Sequence, residues 1–149
     1  MILRKAGARD AEAILEWRND ESTRANSFSG SIIPWEDHIK WFEKKLKDEN
    51  CLMFIAEDQD SKVGSLRIDI EGNVGEISYM VAPNMRGKGY GTELLKLAEK
   101  ELPDHIRVLA GLVRKENPAS CKCFEKNGYV KLNADTSVCF IKAFGEKRG

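Results

Sequence analysis

Residues 76–91 read Glu76-Ile77-Ser78-Tyr79-Met80-Val81-Ala82-Pro83-Asn84-Met85-Arg86-Gly87-Lys88-Gly89-Tyr90-Gly91, and the order of these residues decides the fold. An apolar, alternating segment ends at Val81, Pro83-Asn84 turns the chain, and a glycine-rich run follows at once. From Gly89 to Leu102, the residues Tyr90, Leu94, Leu97, Ala98 and Leu102 fall on one helical face, and Pro103 closes the helix. Strand, glycine loop and helix are thus contiguous. Glycines at 87, 89 and 91 let a ligand approach the backbone, and the unpaired amides of the first helical turn point at it. The helix dipole adds to the charges of Arg86 and Lys88, which makes an anion site fit for a pyrophosphate. No Gly-Lys-Ser/Thr ends the run, so it is not a nucleoside-triphosphate loop. Its spacing is also not the Gly-x-Gly-x-x-Gly of dinucleotide folds.

Upstream, Ile2 to Lys5 reads as a first strand, and Asp10 as the N-cap of a helix that carries Ile14 and Trp17 on one face and ends near Asn19. Asp20 to Ile33 lacks periodicity and reads as a long loop, followed by a helix opened by Pro34. There Trp35, Ile39, Phe42 and Leu46 form a core-facing stripe, with His38 and Trp41 beside it. Cys51 to Glu57, Lys62 to Ile70 and Asn73 to Val81 read as an antiparallel meander. Downstream lie a strand at Ile106 to Val113 and a helix at Pro118 to Asn127, capped by Asn117 and stopped by Gly128. Two last strands follow, near Tyr129 to Leu132 and Ser137 to Phe144. The predicted class is α/β (α+β): a mixed, mostly antiparallel sheet of about seven strands flanked by about four helices. Residues 1–149 are expected to be one domain.

Lysine plus arginine balances aspartate plus glutamate at 24 each, so no overall field exists to hold nucleic acid or an anionic membrane. No apolar run approaches the roughly 20 residues of a membrane span. The segment Met1 to Lys5 turns charged too early for a signal-peptide core, so the chain is expected to be cytoplasmic. Its four cysteines read as free thiols of a reducing compartment, and no Cys-x-x-Cys or nearby histidine suggests a metal.

Arg86-x-x-Gly89-x-Gly91 between such a strand and helix resembles the acetyl-CoA signature of the GNAT superfamily. The likeness extends over the strand Glu76 to Val81 and the later segment Asn117, Ser120, Phe124, Gly128-Tyr129. It implies a GNAT-type sheet and acetyl-CoA bound along Arg86, Gly87, Lys88, Gly89, Tyr90 and Gly91. It also implies a pantetheine arm inserted where the strand before the loop splays from its neighbour, with the amides of Met80 and Val81 facing the thioester oxygen. Asn117, Ser120, Cys121 and Phe124 share a helical stripe that can face the arm. The family usually has a tyrosine at the position of Phe124, where it protonates the departing thiolate. The hypothesis of an empty acid position predicts that Phe124→Tyr does not reduce turnover.

A base for the amine is sought in Glu76, which shares a strand face with Ser78 and Met80. Trp17, Arg18, Asn19, Arg24, Phe28, His38 and Trp41 surround the long loop, where the acceptor is expected. The pattern resembles acetyltransferases of amino-sugar nucleotides, such as those of pseudaminic acid biosynthesis, and more distantly those of ribosomal protein N-termini. Arg18 or Arg24 would then bind phosphate, and Trp17, Phe28 or Trp41 would stack on a base or sugar, although each tryptophan also suits the core. The rival readings are a protein N-terminal acetyltransferase, a catalytically weak acyl-CoA-binding domain and an unrelated phosphate-binding module. Either a monomer or a homodimer fits.

Overall fold

The computed structural model describes residues 1–28 and 30–145. In chain order the elements are β1 (Ile2–Lys5), α1 (Ala11–Asn19), α2 (Glu21–Ala25), α3 (Trp35–Lys47), β2 (Cys51–Asp58), β3 (Ser61–Glu71), β4 (Val74–Val81), α4 (Tyr90–Lys100), β5 (Val108–Arg114), α5 (Pro118–Lys126), β6 (Val130–Asn133) and β7 (Ser137–Ala143). The strands form one sheet in the order β1-β2-β3-β4-β5-β7-β6. Every neighbouring pair is antiparallel except β4 and β5, because the crossover through α4 returns the chain in the same direction. The mixed, mostly antiparallel seven-stranded sheet matches the expectation from the sequence.

Two apolar layers cover the sheet. On one side α4 and α5 enclose Leu66, Ile68, Leu94, Leu95, Leu109, Phe124 and Phe140, and on the other α1 and α3 enclose Ile14, Trp17, Phe42, Met53 and Ile55. Leu94, Leu95 and Ala98 of α4 are fully buried, and removing either leucine to alanine would cost about 2–5 kcal/mol. No helix among the described residues is long and apolar enough to cross a membrane.

Four local expectations are corrected. Asp10 stands at the N-cap position of α1 as expected, but its side chain makes no capping bond: the buried carboxylate accepts from Arg4 Nη1 and Nη2 at 2.8 Å each and from the Gly7 amide at 2.8 Å, and Lys62 Nζ lies at 3.0 Å. A carboxylate removed from water needs charge as well as hydrogen bonds, and a lone helix end supplies too little. The loop from Asp20 to Ile33 contains α2, whose cap is Asp20, accepting from the Thr23 amide at 3.2 Å. In α3 the buried line runs through His38 and Phe42, with Ile39 and Leu46 packed beside it, while Trp35, in the first turn, stays 48% exposed. The fifth strand begins at Val108 rather than Ile106.

Candidate active site

Strand β4 runs antiparallel to β3 over its whole length, from Val74 opposite Glu71 to Val81 opposite Gly64. With β5 it pairs only at Val74–Val108, Gly75–Leu109 and Glu76–Ala110, although both strands continue. The sheet therefore forks beyond Glu76. The Ala82 amide donates to Val63 O at 2.8 Å, so even-numbered residues of β4 turn their main-chain groups to β3. The alternation of an antiparallel ladder then turns those of Tyr79 and Val81 toward the fork. The amide of Met80, expected to face the ligand, is turned toward β3, whereas that of Val81 is not.

The glycine loop lies at the far end of β4. Gly87 and Gly89 have φ of 77° and 83°, a left-handed backbone that side chains resist, and Gly89 is the N-cap of the eleven-residue α4. The first amides of α4 stand at its positive end. Tyr90 turns its hydroxyl away to donate to Asp58 at 2.6 Å, so this residue offers the loop its backbone. Lys88 is exposed. Arg86 is bound elsewhere: Nη1 lies 3.0 Å from Asp20 Oδ2, and Nη2 donates to Thr23 Oγ1 at 2.8 Å.

Across the fork, Asn117 accepts from the Ser120 amide at 3.3 Å and so caps α5. Tyr79 and Ser120 share a hydrogen bond of 2.8 Å, and burial pushes the Tyr79 phenol far above its ordinary pKa. Phe124 is 2% exposed, and its ring meets that of Tyr79 edge-on at 6.1 Å. Its ring stacks on Phe140 at 5.0 Å, meets Tyr129 edge-on at 5.0 Å, and lies where a Cβ on Gly111 would come within 2.4 Å. Phe124 is thus a member of the core cluster on this side of the sheet. Cys121, expected on the same stripe, lines a surface groove with Lys122 and Lys131 instead.

On the opposite face of β4, between α1 and α3, lies a small cleft of about 100 Å³ whose lining includes Arg18, Trp41, Ser65, Arg67, Ser78 and Met80. The guanidinium carbons of Arg18 and Arg67 sit 4.3 and 5.1 Å from the Trp41 ring centroid, so the ring carries two cations rather than an open stacking face. Arg67 is balanced by Asp69 at 2.8 Å, which Lys45 also contacts at 2.8 Å. Among the described residues no carboxylate pairs with Arg18. Burial, and then the charge of Arg67, lower its pKa from the ordinary arginine value. Its Nη1 donates to His38 Nδ1 at 3.0 Å, and His38 Nε2 lies 2.7 Å from Ala11 O. A carbonyl can only accept, so the Nε2 proton is fixed and Nδ1 is left to accept. Fully buried, His38 orients Arg18 and does not reach the cleft surface. Burial, reinforced by the charge of Arg18, lowers its pKa against the opposing Ala11 bond.

The other expected acceptor residues divide. Trp17 is a core side chain, 7% exposed, and Phe28 is largely exposed. Asn19 closes the base of its loop, donating to Ile33 O at 2.9 Å and accepting from its amide at 2.7 Å, and Arg24 donates to Asn19 O at 3.1 Å. Glu76 is exposed at the apex of the fork, on the same face as Ser78 and Met80. Sequence reading missed Tyr79, Arg67 and Arg114. The alternation Ser65, Arg67, Asp69 within the apolar β3 was the available signal for a polar site on that face.

The Acetyltransferase (GNAT) family profile matches residues 11–129. An acetyltransferase of Yersinia enterocolitica serotype O:8 / biotype 1B is 31% identical over 120 residues, spanning 79% of this chain and 79% of that protein. Among solved structures, a domain from Methanocaldococcus jannaschii superposes with a TM-score of 0.84 at 21% identity, covering 96% of this chain and 97% of that one. The spermidine N-acetyltransferase of Vibrio cholerae, solved with CoA and spermine, superposes with a TM-score of 0.79 at 17% identity, covering 94% and 92%. A forked sheet with a glycine loop at the head of α4, matched by a family profile over most of its length, settles the assignment: the chain belongs to the Acetyltransferase (GNAT) family and is an acetyl-CoA-dependent N-acetyltransferase.

Proposed function

We propose that this enzyme acetylates the primary amine of a small anionic acceptor, an amino-sugar nucleotide, by direct attack on the thioester of acetyl-CoA. The observation that carries the acceptor class is Arg18, a half-buried guanidinium in the cleft with no carboxylate partner among the described residues and a second guanidinium beside it. Such a site favours a phosphate, which can take paired hydrogen bonds from it. A polycation such as the spermine bound by the Vibrio cholerae neighbour would meet like charge and be disfavoured.

Acetyl-CoA supplies the activated acetyl group, and the chain's features fit it. The amides at the head of α4 receive the pyrophosphate, Gly87 and Gly89 leave it room, Gly91 lets α4 close on Cys123 and Tyr79, and the open edge of β4 accepts the arm as a missing strand. The amine enters from the Arg18 cleft, on the other face of β4. Val81 N–H faces the fork and donates to the oxygen that gains charge during attack. Glu76, at the apex, takes the amine's proton through water. With Phe124 in the core, the hydroxyls of Tyr79 and Ser120 remain to stabilise the departing thiolate by hydrogen bonding. The four free cysteines support a reducing, cytosolic setting.

Titration calorimetry with acetyl-CoA and with ATP, then thiol release on amino-sugar nucleotides, spermine and peptides, tests the reading. Acetyl-CoA binding with turnover on a sugar nucleotide is expected. Turnover confined to spermine or peptides would overturn the acceptor class, and absence of acetyl-CoA binding the whole proposal. For Glu76→Gln, a fall in turnover at saturating acetyl-CoA is expected, and unchanged turnover removes Glu76 from the mechanism.

A further inference from the structure

A β-bulge interrupts the pairing of β2 and β3 near their turn. Ala56 lies opposite Gly64 and Glu57 opposite Lys62, so Val63 has no partner on β2. A bulge bends the strand that carries it, and β3 is here held close to β4, where the Ala82 amide donates to Val63 O at 2.8 Å. Gly64 follows at once and is buried. A Cβ built on it would stand closer than 3.0 Å to Met80 O and 3.3 Å from Leu94 Cδ1. The first neighbour is main chain, with no rotamer to change, and the second is a fully buried side chain of α4. Glycine weakens a strand interior and is found where another backbone approaches closely, as that of Met80 does here.

Met80 C=O and Val81 N–H belong to one planar trans peptide and therefore point in opposite directions. The carbonyl turned to Gly64 thus fixes the aim of the amide turned to the fork. On its far side the next amide, that of Ala82, is held by Val63, so this peptide unit is gripped by two consecutive residues of β3. We infer that Gly64 is a positioning residue for acetyl transfer: the absence of a Cβ lets the Met80–Val81 peptide lie close on β3, and this orientation presents Val81 N–H to the thioester oxygen. The inference rests on the proposed role of Val81 as donor to that oxygen. A side chain at position 64 must turn or push the peptide, because the bulge and Leu94 close its other ways out. A donor turned out of line loses the charge stabilisation it gives during attack. The nearest atoms to the added Cβ include none of the glycine loop, so the pyrophosphate site is left in place.

The test uses the full chain labelled with nitrogen-15, first with CoA and then with acetyl-CoA, and needs no knowledge of the acceptor. In the wild type the Val81 amide proton is expected to move downfield when acetyl-CoA replaces CoA, and in Gly64→Ala that response is expected to be lost while both ligands still bind with unchanged affinity. Turnover on the acceptor selected by the amine panel is expected to fall about 10- to 100-fold in kcat, with the acetyl-CoA KM unchanged. Ile55→Val, in the fully buried core of β2, controls for stability: its Tm is expected to fall with kcat per folded molecule unchanged. Should Gly64→Ala unfold in buffer, all proteins are compared in concentrated sucrose, which favours the compact state. A Gly64→Ala protein that keeps the Val81 response and its kcat overturns the inference, as does one that stays unfolded in sucrose, which makes Gly64 a purely structural residue. A wild-type Val81 resonance that does not distinguish acetyl-CoA from CoA overturns the inference by removing its donor. A wild type that fails to bind acetyl-CoA fails the functional proposal itself.

Discussion

The Tyr79 hydroxyl, on β4, lies 2.8 Å from Ser120 Oγ in the first turn of α5, and the pair spans the fork at the level where β4 has lost its β5 partner. Tyr79→Phe is expected to lower kcat about 10-fold while leaving acetyl-CoA affinity unchanged, because a lost donor costs charge stabilisation in the transition state alone. Ser120→Ala is expected to do the same, and the double variant no more. Burial holds the phenol protonated throughout the working range, so the loss is equal at every pH and adds no inflection. An acetyl-CoA dissociation constant that rises in step would make the pair a binding element instead.

Phe124→Tyr becomes a packing experiment. The ring tip faces Gly111 so closely that a Cβ there would lie 2.4 Å away, and a hydroxyl added at that tip has no vacant space. Overpacking of about 1–3 kcal/mol is expected, visible as a fall of several degrees in Tm, with turnover per folded molecule unchanged. The sequence-based expectation of undiminished turnover thus holds only after correction for folded protein. A rise in turnover with no loss of Tm would return the position to the cofactor arm.

Arg18→Gln removes from the cleft the cation that has no carboxylate partner among the described residues. Charged hydrogen bonds are worth about 1.5–3 kcal/mol, so the acceptor KM is expected to rise roughly 10- to 100-fold with the acetyl-CoA KM unchanged. The wild-type acceptor KM should also rise with ionic strength and the variant's less so. Steady-state kinetics at two salt concentrations measures both, and an unchanged acceptor KM would exclude Arg18 from recognition.

His38 links the same residue to pH. Its folded pKa lies below the ordinary value of 6.5, chiefly through burial, so the unfolded chain binds the proton first as pH falls. The neutral form's contribution to stability is complete above pH 6.5 and declines below it, until the folded pKa is passed. The denaturation midpoint is therefore expected to fall as pH is lowered from 7 to 5, with a smaller slope in His38→Gln. A His38 imidazole resonance titrating above 6.5 would contradict the buried neutral tautomer that holds Arg18.

Much of the fold could be read locally. The alternation of β4, the turn at Pro83-Asn84, the glycine spacing and the 3.6-residue period of α4 are short-range features, each with its own steric or periodic cause. The N-cap at Asn117 and the stop at Gly128 likewise marked α5 to within a residue. The anion-binding head of α4 followed from those same residues, because helix amides and dipole depend only on where the helix starts. Asp10, His38, Phe124 and Arg86 each had a plausible local role, and each meets partners that no local reading could supply: Arg4 and Lys62, Arg18 and Ala11, Gly111 and Phe140, Asp20 and Thr23. The sequence by itself determined the layered sheet, the glycine loop and the helix that presents its amides, because these depend on periodicity and backbone freedom. Where the sheet forks, which hydroxyls face the fork, and that Arg18 meets no carboxylate among the described residues became visible only in the tertiary structure, because burial and charge balance are set by side chains that meet only after the chain has closed.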